Sequence, residues 1–206
     1  DQRHTLTIYY LERGAGSSNC KIKFNLPMND VLSVQKIVKD TDDHGAAIPA
    51  ETMASINNKD FGFTLYKNGI KVANATYAIY SADGSFLNTA STDANGHFTL
   101  KNGQSAKFIG EIDTTSGYTY YVVEDSDNLS ETFWNKPTWT WNANAKSASE
   151  ETNGNNYTSG TVKVIGSIEG TDTINFICTN EYKHQEELKV EANDDKIVID
   201  YGLPVE

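Results

Sequence analysis

Cysteine is almost absent from this sequence, and with it the patterns built on cysteine. The 206 residues include two, Cys20 and Cys178, too few for a disulfide framework or a cysteine-based zinc site. Positive charge is also short: 17 Lys and Arg stand against 28 Asp and Glu, a net charge of −11. Such a chain repels phosphate backbones, which argues against nucleic acid as a partner. No apolar run approaches the roughly 20 residues of a membrane-spanning helix, so no membrane insertion is expected of this stretch. Neither a signal peptide nor a sorting motif is legible, and the sequence reads as a piece of a longer protein. Phosphate loops, Gly-x-Ser-x-Gly elbows and Gly-rich nucleotide motifs are missing. His4, His44, His97 and His184 lie in separate segments without metal-ligand spacing. The aspartates within 40–43 and 125–127 lack the Gly and distal Glu of an EF-hand loop, and read as solvated charge before calcium ligands. No metal and no cofactor is expected.

What is present is a globular composition, 38% hydrophobic and 22% charged. Short apolar runs alternate with clusters of Thr, Ser, Asn, Asp and Gly. Turn signals recur about every ten residues, the spacing of a β-sandwich. Strands are expected over 31–39, 61–65, 76–80, 97–100, 106–109, 118–124, 161–165 and 173–182, with a helical turn near Ala50–Met53. Asp83-Gly84 supplies the positive φ angles of a hairpin turn. Residues 125–160 are polar apart from an aromatic cluster at Phe133, Trp134, Trp139 and Trp141. Residues 1–28 read as an orphan hairpin, bounded by Pro27, Asn29 and Asp30. A fresh strand begins after His184. The expected organisation is therefore a main domain over 31–183, preceded by the closing strands of one module (1–28) and followed by the start of another repeat (186–206).

Side chains on a strand alternate between faces. Three strands carry a polar residue on their apolar face. Lys36 shares parity with Leu32, Val34 and Val38. Glu124 shares it with Tyr118, Tyr120 and Val122. Asn180 shares it with Ile174, Phe176, Cys178 and Tyr182. Each would need a partner if buried. Together they are the components of an intramolecular Lys–Asn amide cross-link. Taken singly, each has a plainer reading: a snorkelling edge lysine, a solvated glutamate, an asparagine in a turn. Lys67, in parity with Phe61, Phe63 and Leu65, is a rival nucleophile, but it abuts the turn Asn68-Gly69. Cys178 reads as a small buried hydrophobe.

The motifs LSVQKIVK, FGFTL, HFTLKNGQSAKF, GYTYYVVED and INFICTNEY, in that order, resemble the Cna-B-like pilin and adhesin domains of Gram-positive surface proteins. The streptococcal-pilin isopeptide-linkage subgroup is the nearest in pattern. The order is a lysine strand, F-x-F-T, L-x-x-G-Q, Y-x-V-x-E and a terminal strand ending in Asn. The long Trp-rich connection after Glu124 departs from it. HTLTIYYLERGAGSSNCKIKFNLP resembles the closing strands of a fibro-slime-type surface module. The resemblance implies an all-β, Ig-like (Cna-B-type) β-sandwich flanked by fragments of neighbouring β modules. It also implies that Lys36 is the nucleophile, Asn180 the acceptor and Glu124 the proton-shuttling acid. Such a reaction runs once per molecule, so it is self-processing and not enzymatic turnover.

Two functions follow as expectations. The first is a cell-wall-attached stalk or spacer module on a bacterial surface, with neighbouring domains of the same protein as partners. The second is an adhesin module. In it Trp139 and Trp141, which share parity, would form an aromatic platform for a host glycan or extracellular-matrix protein. The plainer reading of the two tryptophans is that they cover one end of the sandwich. A hydrolase with paired carboxylates has no spacing signal behind it.

Overall fold

A computed structural model describes residues 31–109, 117–127, 129–143, 148–164, 173–185, 189–193 and 196–200. The expected hairpin of residues 1–28, and Cys20 within it, lie outside the described residues.

In chain order the strands are β1 (Val31–Asp42), β2 (Phe61–Lys67), β3 (Ile70–Lys71), β4 (Thr76–Tyr80), β5 (Phe86–Ser91), β6 (His97–Leu100) and β7 (Ser105–Ile109). There follow β8 (Thr119–Glu124), β9 (Thr138–Ala143), β10 (Ala148–Thr152), β11 (Thr161–Val164) and β12 (Thr173–Tyr182). The helix α1 (Ala50–Asn58) lies between β1 and β2, and β13 (Lys189–Asn193) pairs with β14 (Lys196–Asp200). One six-stranded sheet runs β5-β4-β7-β1-β12-β9. The other runs β10-β11-β8-β2-β3, with β6 also on β2. The fold is all-β, a sandwich of these two sheets.

Alternation explains the core. Leu32, Val34 and Val38 on β1, Ile174 and Phe176 on β12, and Tyr120 and Val122 on β8 are all buried, and each set has the two-residue period of a half-buried strand. Aromatic contacts join the sheets: Phe98 of β6 packs on Tyr77 of β4 and Phe108 of β7, with centroids 5.4 and 5.2 Å apart. Edge-to-face geometry of the Phe98–Phe108 kind favours such pairs beyond the area they bury.

The central pair is β1 with β12, and it is parallel. Parallel neighbours need a long crossover, and here almost the whole domain is that crossover. The register sets Lys36 opposite Cys178 and Val38 opposite Asn180. The aromatic segment after Glu124 contributes β9, which lies antiparallel to β12 with Trp139 opposite Cys178 and Trp141 opposite Phe176. That strand was not among those expected from the sequence, where polar residues dominate its surroundings.

Beyond Tyr182 the chain is clasped to the end of β1. His184 Nδ1 lies 2.6 Å from Asp42 Oδ2, the His184 N–H donates to Asp43 Oδ1 at 2.7 Å, and the His44 and His184 rings stack at 4.6 Å. The two histidines, distant in sequence, meet here. The His184 hydrogen bond lowers the Asp42 carboxyl below its ordinary value of 3.8, helped by the Ala46 and His44 N–H groups. A carboxyl with a depressed pKa stabilises the fold above its unfolded value, and that contribution fades as pH falls through the folded value. An NMR titration should therefore place the Asp42 midpoint below 3.8, and His184→Ala should raise it. A midpoint unmoved by His184→Ala would show that the clasp does not govern the carboxyl.

Candidate functional site: a buried lysine, glutamate and asparagine

Lys36 sits mid-strand on the inward face of β1, Glu124 at the end of β8 in the opposite sheet, and Asn180 on β12. Their exposures are 0%, 1% and 0%. Lysine and glutamate are almost never fully buried unless paired, and these two are: Lys36 Nζ lies 2.8 Å from Glu124 Oε1. The same Nζ donates to Asn180 Oδ1 in direct contact. It also lies 3.8 Å from Cys178 Sγ and 4.3 Å from the Phe61 ring centroid. Among the described residues, the buried side-chain atoms without a hydrogen-bond partner are Glu124 Oε2 and Asn180 Nδ2. An orphan of this kind costs about 1–3 kcal/mol.

Backbone contacts hold these groups in place. The turn after β6 grips β1 on both sides of Lys36: the Lys36 N–H donates to the Gln104 carbonyl, and the Gly103 N–H to the Lys36 carbonyl, each at 2.9 Å. Asn102 Oδ1 accepts from the Val38 N–H at 2.7 Å. Gly103 has φ +79°, and a Cβ there would press on Ala82, so glycine suits the position. Glu124 is held by its N–H to the Tyr157 carbonyl at 2.8 Å, and the next N–H, of Asp125, reaches the Gly62 carbonyl at 2.9 Å. The Asp125 carboxylate pairs with His97 at 2.9 Å directly over Gly62, where any Cβ would overlap both groups.

Trp139 and Trp141 are partly buried and packed against the core. The Trp139 ring meets Phe63 edge-on at 6.3 Å and its Nε1 donates to the Asn156 carbonyl at 3.2 Å. From the edge strand β9 they pack inward and do not stand out as an open platform. Lys67 lies over the Tyr118 ring at 4.6 Å, so the structure assembles the lysine of β1, and not this rival, with the carboxylate and amide. Among the described residues no group of three or more His, Cys, Asp or Glu is placed to hold a metal ion.

Cys178 is the residue whose part in the site the sequence did not reveal. It is a free, fully buried thiol, and its Sγ donates to Asn180 Oδ1 at 3.5 Å. Parity with Asn180 was the available signal, but a cysteine on an apolar face looks the same whether it packs or donates. Phe61, under the lysine, was legible only as a core aromatic.

No protein-family model and no curated protein matches the chain. Among solved structures it is similar to two crystal structures of the major pilin from Streptococcus pyogenes. One is a glutamate-to-alanine mutant (22% identity, TM-score 0.40) and the other an asparagine-to-alanine mutant (24%, 0.36). Each similarity covers 76% of this chain and 49% of the pilin. A third, the major pilin of a named serotype of that species, shows 18% identity and a TM-score of 0.35, covering 74% of this chain and 45% of its own. The chain thus spans about half the length of the pilins it matches.

Proposed function

We propose that residues 31–183 form a stalk or spacer module of a bacterial cell-surface adhesin or pilin-like protein, stabilised by an autocatalytic amide between Lys36 and Asn180. The observation that carries this is the contact of Lys36 Nζ with both Glu124 and Asn180 in a site closed to solvent. Burial disfavours ions, so passing the lysine proton to Glu124 gives a neutral amine and a neutral acid. The amine lone pair attacks Asn180 Cγ, and a tetrahedral centre forms. Glu124 first gives its proton to Nδ2, and the carboxylate so formed takes one from the attacking nitrogen. The Cγ–Nδ2 bond breaks and ammonia leaves. One amide replaces another, with no oxidant and no cofactor. Holding amine and carbonyl in contact supplies much of the rate, since effective molarities can reach roughly 10⁵ M or more.

The orphaned atoms support the same reading. Departure of ammonia removes the unpartnered Asn180 Nδ2 altogether. It also replaces a buried ion pair, whose desolvation is costly, with a neutral amide that Glu124 can contact.

The tie joins positions 144 residues apart on the first and last strands of the sandwich. A pull applied through β1 and β12 would pass across the amide and leave the intervening chain unstretched. Being an amide, the bond also resists reduction. Both properties suit a load-bearing module outside the cell, with neighbouring modules of the same protein as its partners. The tryptophans, packed against the core, give the adhesin reading no comparable support.

Intact mass tests the proposal. The protein should be lighter than its sequence by one ammonia, and tandem mass spectrometry should find the branched peptide joining Lys36 to Asn180. A full-mass protein would rule the cross-link out.

A further inference from the structure

We propose that Cys178 is a catalytic residue of this self-processing step: its thiol donates to Asn180 Oδ1 and stabilises the oxyanion formed as Lys36 attacks. The inference rests on the Lys36–Asn180 reading above.

Glu124 is bonded to the amine: its Oε1 is 2.8 Å from Lys36 Nζ. At the amide oxygen the donors are Lys36 Nζ itself and Cys178 Sγ, the latter at 3.5 Å. The lysine must give up its proton and turn its lone pair toward Cγ, so it cannot remain the donor to the oxygen it creates. Cys178 can. The parallel register puts it opposite Lys36 on β12, one two-residue step from Asn180 and on the same face. It thus touches both reacting groups, with Sγ 3.8 Å from Nζ. Burial pushes the Cys178 thiol well up. The sulfur therefore keeps its proton, which makes it a donor and keeps it from competing as a thiolate nucleophile.

The step balances without redox change. The Nζ–Cγ bond forms, and the carbonyl π pair moves onto Oδ1. The S–H holds that oxygen by a hydrogen bond, without transferring its proton. On collapse the pair returns, ammonia leaves, and the thiol is unchanged. Preorganised donors aimed at a developing oxyanion are worth about 10²–10³ in rate when strong. A thiol is a weak donor, so about tenfold is expected here.

The test follows newly made chain in cell-free synthesis, reading the loss of one ammonia by intact mass against time. Cys178→Ser keeps a donor, whereas Cys178→Val keeps bulk without one. The serine variant should cross-link at about the wild-type rate and the valine variant about tenfold more slowly. Each substitution is also placed on Lys36→Ala, where no cross-link forms, and its melting shows whether it folds. If valine fails to fold, Cys178→Ala replaces it. Valine (or alanine) at the wild-type rate overturns the proposal, and so does serine as slow as valine, which would make the effect one of packing. A wild type that never loses ammonia removes the cross-link itself. A normal wild type beside an unaffected valine variant removes only the role of Cys178.

Discussion

Asn180→Ala should lower the melting temperature of the domain by about 10 °C or more. Closing a loop of more than 100 residues with a covalent tie restricts the unfolded chain, and by analogy with disulfides contributes on the order of 5 kcal/mol. For a domain of this size each kcal/mol is worth about 2–4 °C. Asn180→Ala is the cleaner of the two obvious variants, because Lys36 and Glu124 remain paired in the core. Lys36→Ala strands Glu124 without its cation, and breaking a buried pair costs about 3–5 kcal/mol more where the survivor stays charged. The lysine variant should therefore melt no higher than the asparagine variant. Both should be cut faster by proteases, since no covalent tie then holds β1 to β12. Thermal melting and timed proteolysis are the measurements. A drop of only a few degrees for Asn180→Ala would match lost packing contacts, and would argue that no tie had formed.

Glu124→Ala should abolish the cross-link while leaving Lys36 and Asn180 in place. General acid–base groups contribute about 10²–10⁴ in rate, and without a carboxylate no neighbouring base is bonded to the lysine proton. The purified variant should have the full mass of its sequence. Its melting temperature should fall at least as far as that of Asn180→Ala, because both lose the same tie and Lys36 also loses its buried partner. The double variant should then fall by less than the sum of the two, the signature of groups that act together. Cross-linked Glu124→Ala protein would show that burial and contact suffice, and would reassign the glutamate to packing. Glu124→Gln serves as a further control: it fills the same space and cannot take the proton, so it too should remain unreacted.

The strands that form the site were legible because alternation is local. A residue's face follows from its neighbours two positions away, and this placed Lys36, Glu124 and Asn180 on inward faces. The run 173–182 was bounded in the sequence as it is in the structure, helped by β-branched and aromatic residues throughout. The strand at 138–143 was not legible as part of a sheet. Its alternation puts Trp139 and Trp141 on one face without saying that the face is buried, and only its pairing with β12 turns the two tryptophans toward the core.

Which strands lie side by side is a different kind of information. Backbone hydrogen bonds are the same whatever the side chains, so a strand's parity does not name its neighbour. The parallel pairing of β1 with β12 and its register decide that Lys36 faces Cys178 and reaches Asn180. The packing of one sheet on the other decides that Glu124, 88 residues from Lys36, closes the site from the opposite side. The same non-local packing brings His44 onto His184 and the thiol of Cys178 onto the amide oxygen. The sequence by itself determined which side chains must be hidden, because burying apolar surface fixes a face. Only the tertiary structure decided which of the hidden groups touch, because contact depends on strand order, register and the closing of two sheets.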